Sequence, residues 1–164
     1  MESIYLIVVV FLLILAIFDL FVGVSNDAVN FLNSAIGAKV AKFRTVLIIA
    51  SLGVVVGAVM SAGMMDVARH GIMNPSHFTF NECMTVFLAV MVTDVIILDV
   101  FNTLGLPTST TVSLVFELLG GTFILALLKM NADPELAFSD LLNSDKALSV
   151  IIAIFVSVAI AFFF

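Results

Sequence analysis

Residues 4–22 form an apolar run broken by a single charged side chain, Asp19. A helix needs about 20 predominantly apolar residues to cross the ~30 Å hydrocarbon core of a bilayer, so this run is long enough to span one. Comparable runs follow at 45–65, 83–103, 108–128 and 147–164. The fold expected is all-α, a polytopic bundle of transmembrane helices. Composition points the same way: 63% of the residues are hydrophobic, only 11% are charged, and the mean hydropathy is +1.31. Soluble domains run near 45–50% apolar and about 25% charged. A water-soluble fold of 164 residues has too little interior to hide this much apolar surface.

For a membrane protein the placement of Lys and Arg says more than the net charge of −6. Nothing resembles a basic nucleic-acid surface, so no nucleic-acid partner is expected. The single Cys83 excludes an internal disulfide, has no metal-site spacing, and reads as a small buried side chain. The N-terminal run lacks the basic flank and small-residue cleavage site of a signal peptide, so it reads as a retained first helix.

A polar, helix-compatible stretch, GVSNDAVNFLNSAIGA at 23–38, follows the first run directly. As one straight helix, 4–38 would measure about 52 Å at 1.5 Å per residue, too long for the bilayer. The reading is therefore a broken element, with the break near Gly23 and Ser25 or the second part leaving the membrane. In 45–65, Gly53 and Gly57 have GxxxG spacing, with Ser61 one step further, a stripe that permits close helix approach. The polar connection 66–81 carries Arg69, His70, Pro75 and His77, histidines better read as solvated than as metal ligands. The acids of 131–145 (Asp133, Glu135, Asp140 and Asp145) read as a solvated surface. The last run reaches Phe162, Phe163 and Phe164 without a polar anchor, which suggests a polypeptide that continues.

Lys39, Lys42 and Arg44 cluster between the first two crossings, whereas Arg69 stands alone on the next connection. By the positive-inside rule the cluster is cytoplasmic and the N-terminus outside, in a plasma (inner) membrane. The lengths of 83–103 and 108–128 favour two full crossings, whereas Asp94, Asp99 and the Gly105-Leu106-Pro107 interruption favour a re-entrant hairpin.

Polar groups within lipid are costly and mark functional paths by default. Two constellations qualify. In the first, Asn26, Asn30 and Asn33 fall at i, i+4 and i+7 on one helical stripe, with Asp27 and Ser34 on the adjacent one. That face offers amide donors, carbonyl acceptors and a carboxylate, the inventory for an oxyanion and its accompanying cation. Asp27 would neutralise a bound Na⁺ or carry a proton. The competing account is hydrogen bonding between helices, at about 0.6 kcal/mol per contact. The second constellation is Gly105-Leu106-Pro107-Thr108-Ser109-Thr110-Thr111-Val112-Ser113. Pro suits the first turn of a helix and Ser or Thr its cap, so this reads as a helix start inside an apolar segment. Such an end presents unpaired N–H groups and a positive dipole pole to an anion, as discontinuous helices do in secondary transporters. An ordinary cap at the membrane edge is the plainer account. Asp94 and Asp99 suggest a cation site or proton relay; Asp19 and Glu117 read as incidental.

The stretch GVSNDAVNFLNSAIGAK at 23–39 resembles the first signature of the inorganic phosphate transporter (PiT) family, Asn/His-Asp-x-x-Asn followed by a small-residue helix. GLPTSTTVS at 105–113 resembles the second, and the two occur in the family's order. The resemblance matches Asn26, Asp27 and Asn30 to the first signature, and Pro107, Ser109, Thr110, Thr111 and Ser113 to the second. It implies a secondary transporter moving phosphate with Na⁺ or H⁺, built from two inverted halves that each carry both signatures. Only one copy of each is present, so the resemblance implies a missing second repeat or a homo-oligomer partner. Val112 stands where the family commonly has His, Phe116 and Glu117 occupy a usually small, apolar stretch, and the first glycine is displaced to Gly23.

The expected substrate-binding residues are thus Asn26, Asn30, Ser109, Thr110 and Thr111, and the expected cation-coupling residues Asp27, Asn30 and Asp94. Na⁺ or H⁺ serves as coupling ion, with no other cofactor and no metal beyond Na⁺ at Asp27. Alternatives are a transporter of another oxyanion such as sulfate, or a non-transporting assembly or regulatory module. No nucleophile–base set or metal cluster is present to suggest an enzyme.

Overall fold

The computed structural model describes residues 2–63 and 71–163. Six α-helices are described: α1 (Glu2–Gly37), α2 (Phe43–Val59), α3 (Phe80–Leu104), α4 (Thr110–Ala132), the short α5 (Phe138–Leu141) and α6 (Ser144–Phe163), with a 3-10 turn at Pro75–His77. The expectation of an all-α membrane protein holds. Four helices are long and apolar enough to cross a bilayer: α1 from Ile4, α3, α4 and α6. Their outward side chains are apolar and open, Ile17 at 69% and Phe21 at 76% exposed among them. Such side chains are tolerable in lipid and costly in water.

One expectation is corrected. The 4–38 element is not broken: α1 runs unbroken through Gly23 and Ser25 for 36 residues, about 54 Å at 1.5 Å per residue. The polar residues do not interrupt it because their groups find partners without leaving helical geometry. Ser25 Oγ donates to the Phe21 carbonyl one turn back, at 2.8 Å. Helix α2 spans 17 residues and ends at Val59, short of the expected 45–65. The rest of that segment, with Arg69 and His70, extends into positions outside the described residues. Nothing lies within 4 Å of the Cβ positions of Gly53 or Gly57, so the described chain does not use that stripe for packing. The 25 residues of α3 and 23 of α4 each suffice for a full crossing.

The chain divides into two compact units. The first holds Met1–Gly63 and Met91–Ser113. Within it, α1 closes with its last carbonyls capped by Lys39 N–H to Ile36 O (3.2 Å) and Val40 N–H to Ala35 O (3.3 Å), which needs Lys39 at φ 53°. Helix α3 closes the same way, with Gly105 at φ 67°, its N–H on Asn102 O at 3.1 Å and Leu106 N–H on Phe101 O at 2.9 Å. A left-handed residue reverses the chain there, and glycine takes that conformation freely.

The second unit holds Met64–Val90 and Leu114–Phe164. Ile72, Val86, Val90 and Leu118 form one buried cluster, and Met73, Phe78, Ala126 and Leu141 another. Segments 72–74 and 141–143 pair through Asn74 N–H to Leu141 O (3.1 Å) and Asn143 N–H to Ile72 O (2.9 Å). Helix α3 starts with a capping box: Thr79 N–H donates to Glu82 Oε2 at 2.7 Å, and Glu82 N–H reaches Thr79 Oγ1 at 3.4 Å. Lys129 Nζ binds the same Glu82 oxygen at 2.9 Å and the His77 carbonyl at 2.7 Å, 5.1 Å from the Phe78 ring centre. Asp133, Glu135, Asp140 and Asp145 are exposed, as the sequence suggests, while Leu141 and Leu142 of the same connection are buried.

Candidate functional site

The site lies in the first unit and begins with the helical spacing of α1. Asn26 and Asn30 share a stripe, and each donates its side-chain amide to the backbone carbonyl of Thr108, both at 2.9 Å. Asn26 is buried at 2% exposure and Asn30 is exposed. The Thr108 carbonyl lies in the short stretch between α3 and α4, so two α1 amides hold one oxygen of the second polar motif. The two motifs therefore meet.

Beside them is a cavity of about 690 Å³. From α1 it is lined by Ser25, Asn26, Val29, Asn30, Asn33 and Ser34, and opposite by Asn102, Gly105, Leu106 and Pro107. That size falls within the roughly 300–1,000 Å³ of small-ligand sites, and the lining sets asparagine and serine side chains among apolar surface. Asn102, in the last turn of α3, donates its amide to the Val22 carbonyl of α1 at 3.1 Å.

The hydroxyls of the second motif stand elsewhere. Ser109 is exposed and caps α4, its Oγ accepting the Val112 N–H at 3.4 Å, while its carbonyl accepts the Ser113 N–H at 3.0 Å. The helix start expected there is present, but the cap is Ser109 and Pro107 precedes it, outside the first turn. Thr110 is half-buried, its methyl carbon 3.8 Å from where a Cβ on Gly23 would sit. This packing sets Gly23 against the α4 start at a distance where an added Cβ would make ordinary van der Waals contact. Thr111 is exposed. None of Ser109, Thr110 and Thr111 lines the cavity.

Of the carboxylates, Asp27 is half-buried beside the cavity-lining stripe and does not itself line the cavity. Asp94 is 4% exposed on α3 and lies close to the Asp19 carboxyl of α1. Asp99 is exposed. Neighbouring carboxyls repel one another when both are charged, a repulsion that a shared cation would offset. Asp19, taken from sequence as incidental, thus joins Asp94. Their proximity follows from helix packing between distant segments, which sequence spacing does not encode. Asn102 was also missed, although an amide closing an apolar run just ahead of Gly-Leu-Pro was a legible signal.

Comparison with known proteins adds one finding: residues 23–164 match the phosphate transporter family. No curated protein and no solved structure matches the chain. The match begins at Gly23, where the first polar motif opens, and takes in the second motif with every helix after it. With both motifs meeting at the Thr108 carbonyl and four helices fit to cross a bilayer, this is an integral membrane protein that belongs to the phosphate transporter family.

Proposed function

We propose that this protein carries inorganic phosphate across the plasma (inner) membrane by secondary active transport coupled to Na⁺ or H⁺, with the N-terminus outside. The reading rests above all on the meeting of the two motifs at one carbonyl beside a cavity lined in part by asparagines and serines, in a chain of the phosphate transporter family.

A phosphate dianion leaving water loses a large hydration energy that donors and cations must offset together. In this proposal Asn26 and Asn30 turn their amides from the Thr108 carbonyl to the anion, and Ser109, Thr110 and Thr111 offer hydroxyl donors with the α4 N-terminus. Asp27 and Asn30 hold the coupling cation, and Asp94, close to Asp19, carries a second positive charge. A second repeat or a second copy of the chain completes the path, since only one copy of each motif is present.

Labelled phosphate uptake by the full-length gene product in membrane vesicles tests this, beside Asp27→Asn and Ser109→Ala. Uptake that depends on a Na⁺ or H⁺ gradient and falls at least tenfold in Asp27→Asn is the expected result. Undiminished uptake in both variants would assign the polar stripes to helix packing, and uptake of sulfate in place of phosphate would reassign the substrate.

A further inference from the structure

The face of α3 that meets α1 carries Asp94, Leu98 and Asn102, each one turn after the last. Asp94 is 4% exposed and close to Asp19, and Leu98 is fully buried. Asn102 closes the stripe, its amide on the Val22 carbonyl at 3.1 Å. Val22 lies one helical turn before Asn26, so Asn102 grips the turn of α1 just ahead of the buried Asn26 amide. Three residues after Asn102 the chain reverses at Gly105, and Thr108 then receives the Asn26 and Asn30 amides. The exposed Gly105–Leu106–Pro107 turn is therefore tied to α1 at both ends, by Asn102 upstream and by the shared Thr108 oxygen downstream.

We infer that Asn102 is a positioning residue of the cavity: its amide holds the end of α3 on α1, which fixes the Gly105–Pro107 wall opposite Asn26 and Asn30. An amide within an otherwise apolar stretch is costly in lipid, and one bound to a backbone carbonyl of another helix offsets that cost. Because the Asn102 nitrogen is occupied by Val22, the residue acts through the wall it holds. This inference rests on the proposed phosphate site for its consequence in transport, but the tether itself does not.

The experiment has two arms, both with the full chain in its native membrane. In a Cys83→Ala background, a Leu98→Cys thiol reports whether the α1–α3 contact is closed, through its rate of maleimide labelling. Asn102→Ala and the apolar Asn102→Leu should each raise that rate at least fivefold, and Asn102→Gln, which keeps the amide, should recover at least half of the protection. An unchanged rate, or equal rises in all three variants, would overturn the tether. In the second arm, Asn102→Ala should raise the KM for phosphate about tenfold while maximal uptake stays within twofold. An unchanged KM would overturn the positioning role. Absence of phosphate uptake by the unsubstituted protein, with the labelling response intact, would sink the transport reading and leave the tether standing.

Discussion

The buried amide of Asn26 donates to the Thr108 carbonyl at 2.9 Å, and Asn30 donates to the same oxygen at the same distance. Two donors on one acceptor make the contact redundant in a testable way. Removing either amide alone leaves Thr108 served by the other, at about 0.5–1.5 kcal/mol for a typical hydrogen bond. Removing both leaves the Thr108 carbonyl without either donor, at a cost near the lower end of the about 1–3 kcal/mol of a fully buried unsatisfied group, because Thr108 is only half-buried. Asn26→Ala/Asn30→Ala should therefore lose more stability than the two single variants added together, a coupling of at least about 0.5 kcal/mol. A double-mutant cycle by thermal unfolding in detergent measures this. Strict additivity would show that the two amides act separately.

Gly105 and Lys39 hold equivalent places at the ends of α3 and α1, both left-handed, at φ 67° and φ 53°. Only one is glycine. An L-residue in that conformation is strained by roughly 1–2 kcal/mol. Among the described residues beyond its chain neighbours, nothing lies within 4 Å of the Gly105 Cβ position, so Gly105→Ala should cost about 1 kcal/mol through the backbone alone. Lys39→Gly should gain a comparable amount. Opposite shifts in unfolding temperature are the expected reading, and shifts of the same sign would contradict the shared geometry.

In the second unit, adjacent glycines of α4 differ in their surroundings. A Cβ on Gly121 would meet Val86 Cγ1 at 3.3 Å, whereas one on Gly120 would meet nothing within 4 Å. Gly120→Ala should therefore stabilise by up to about 1 kcal/mol through helix propensity. Gly121→Ala should forfeit most of that gain, because Val86 sits in the buried cluster with Ile72, Val90 and Leu118 and has little room to yield. Unfolding midpoints of the two variants, compared side by side, check the order.

The membrane-spanning class and the two polar motifs were legible because each is a local property: run length, amide spacing on α1, and a Gly-Leu-Pro stop before Ser and Thr. What sequence missed depends on partners. Length alone argued for a break near Gly23, yet Ser25 satisfies its hydroxyl on Phe21 within the helix, and Thr110 packs at the glycine. The hydroxyls of Ser109, Thr110 and Thr111 looked equivalent in the motif, but capping takes Ser109 and packing takes Thr110. The Asp19–Asp94 and Val22–Asn102 contacts join residues remote in sequence, whose meeting is decided by how α1 and α3 pack.

Lys129 gathers Glu82, the His77 carbonyl and the Phe78 ring in the second unit. Lys129→Met keeps the apolar stem and removes the charge, leaving the His77 carbonyl without this donor and Glu82 without its cation. The side chains are only partly covered, at 20% and 27% exposure, so the ion pair itself contributes modestly. With the charged hydrogen bond to His77 and the cation–π contact, the loss should come to about 1–2 kcal/mol. The KM for phosphate should stay within twofold, because no part of this cluster lines the cavity.

Asp94 provides the sharpest check on coupling. It lies close to Asp19, where a cation between the two carboxyls would offset their repulsion, and both groups lie on helices long and apolar enough to cross a membrane. Asn at either position removes that repulsion, since an amide donates to the remaining carboxylate without help. Asp94→Asn should then leave the fold intact, with an unfolding midpoint close to that of the unsubstituted protein. Its phosphate uptake should nevertheless respond less steeply to the driving cation, Na⁺ in one ionic condition or H⁺ in the other. Asp19→Asn should produce the same flattening if the neighbouring carboxyls act on one cation together. Uptake measured against Na⁺ concentration at fixed pH, and against pH at fixed Na⁺, separates the two ions. An unaltered dependence on both ions in both variants would remove Asp94 from the coupling path and leave that role to Asp27.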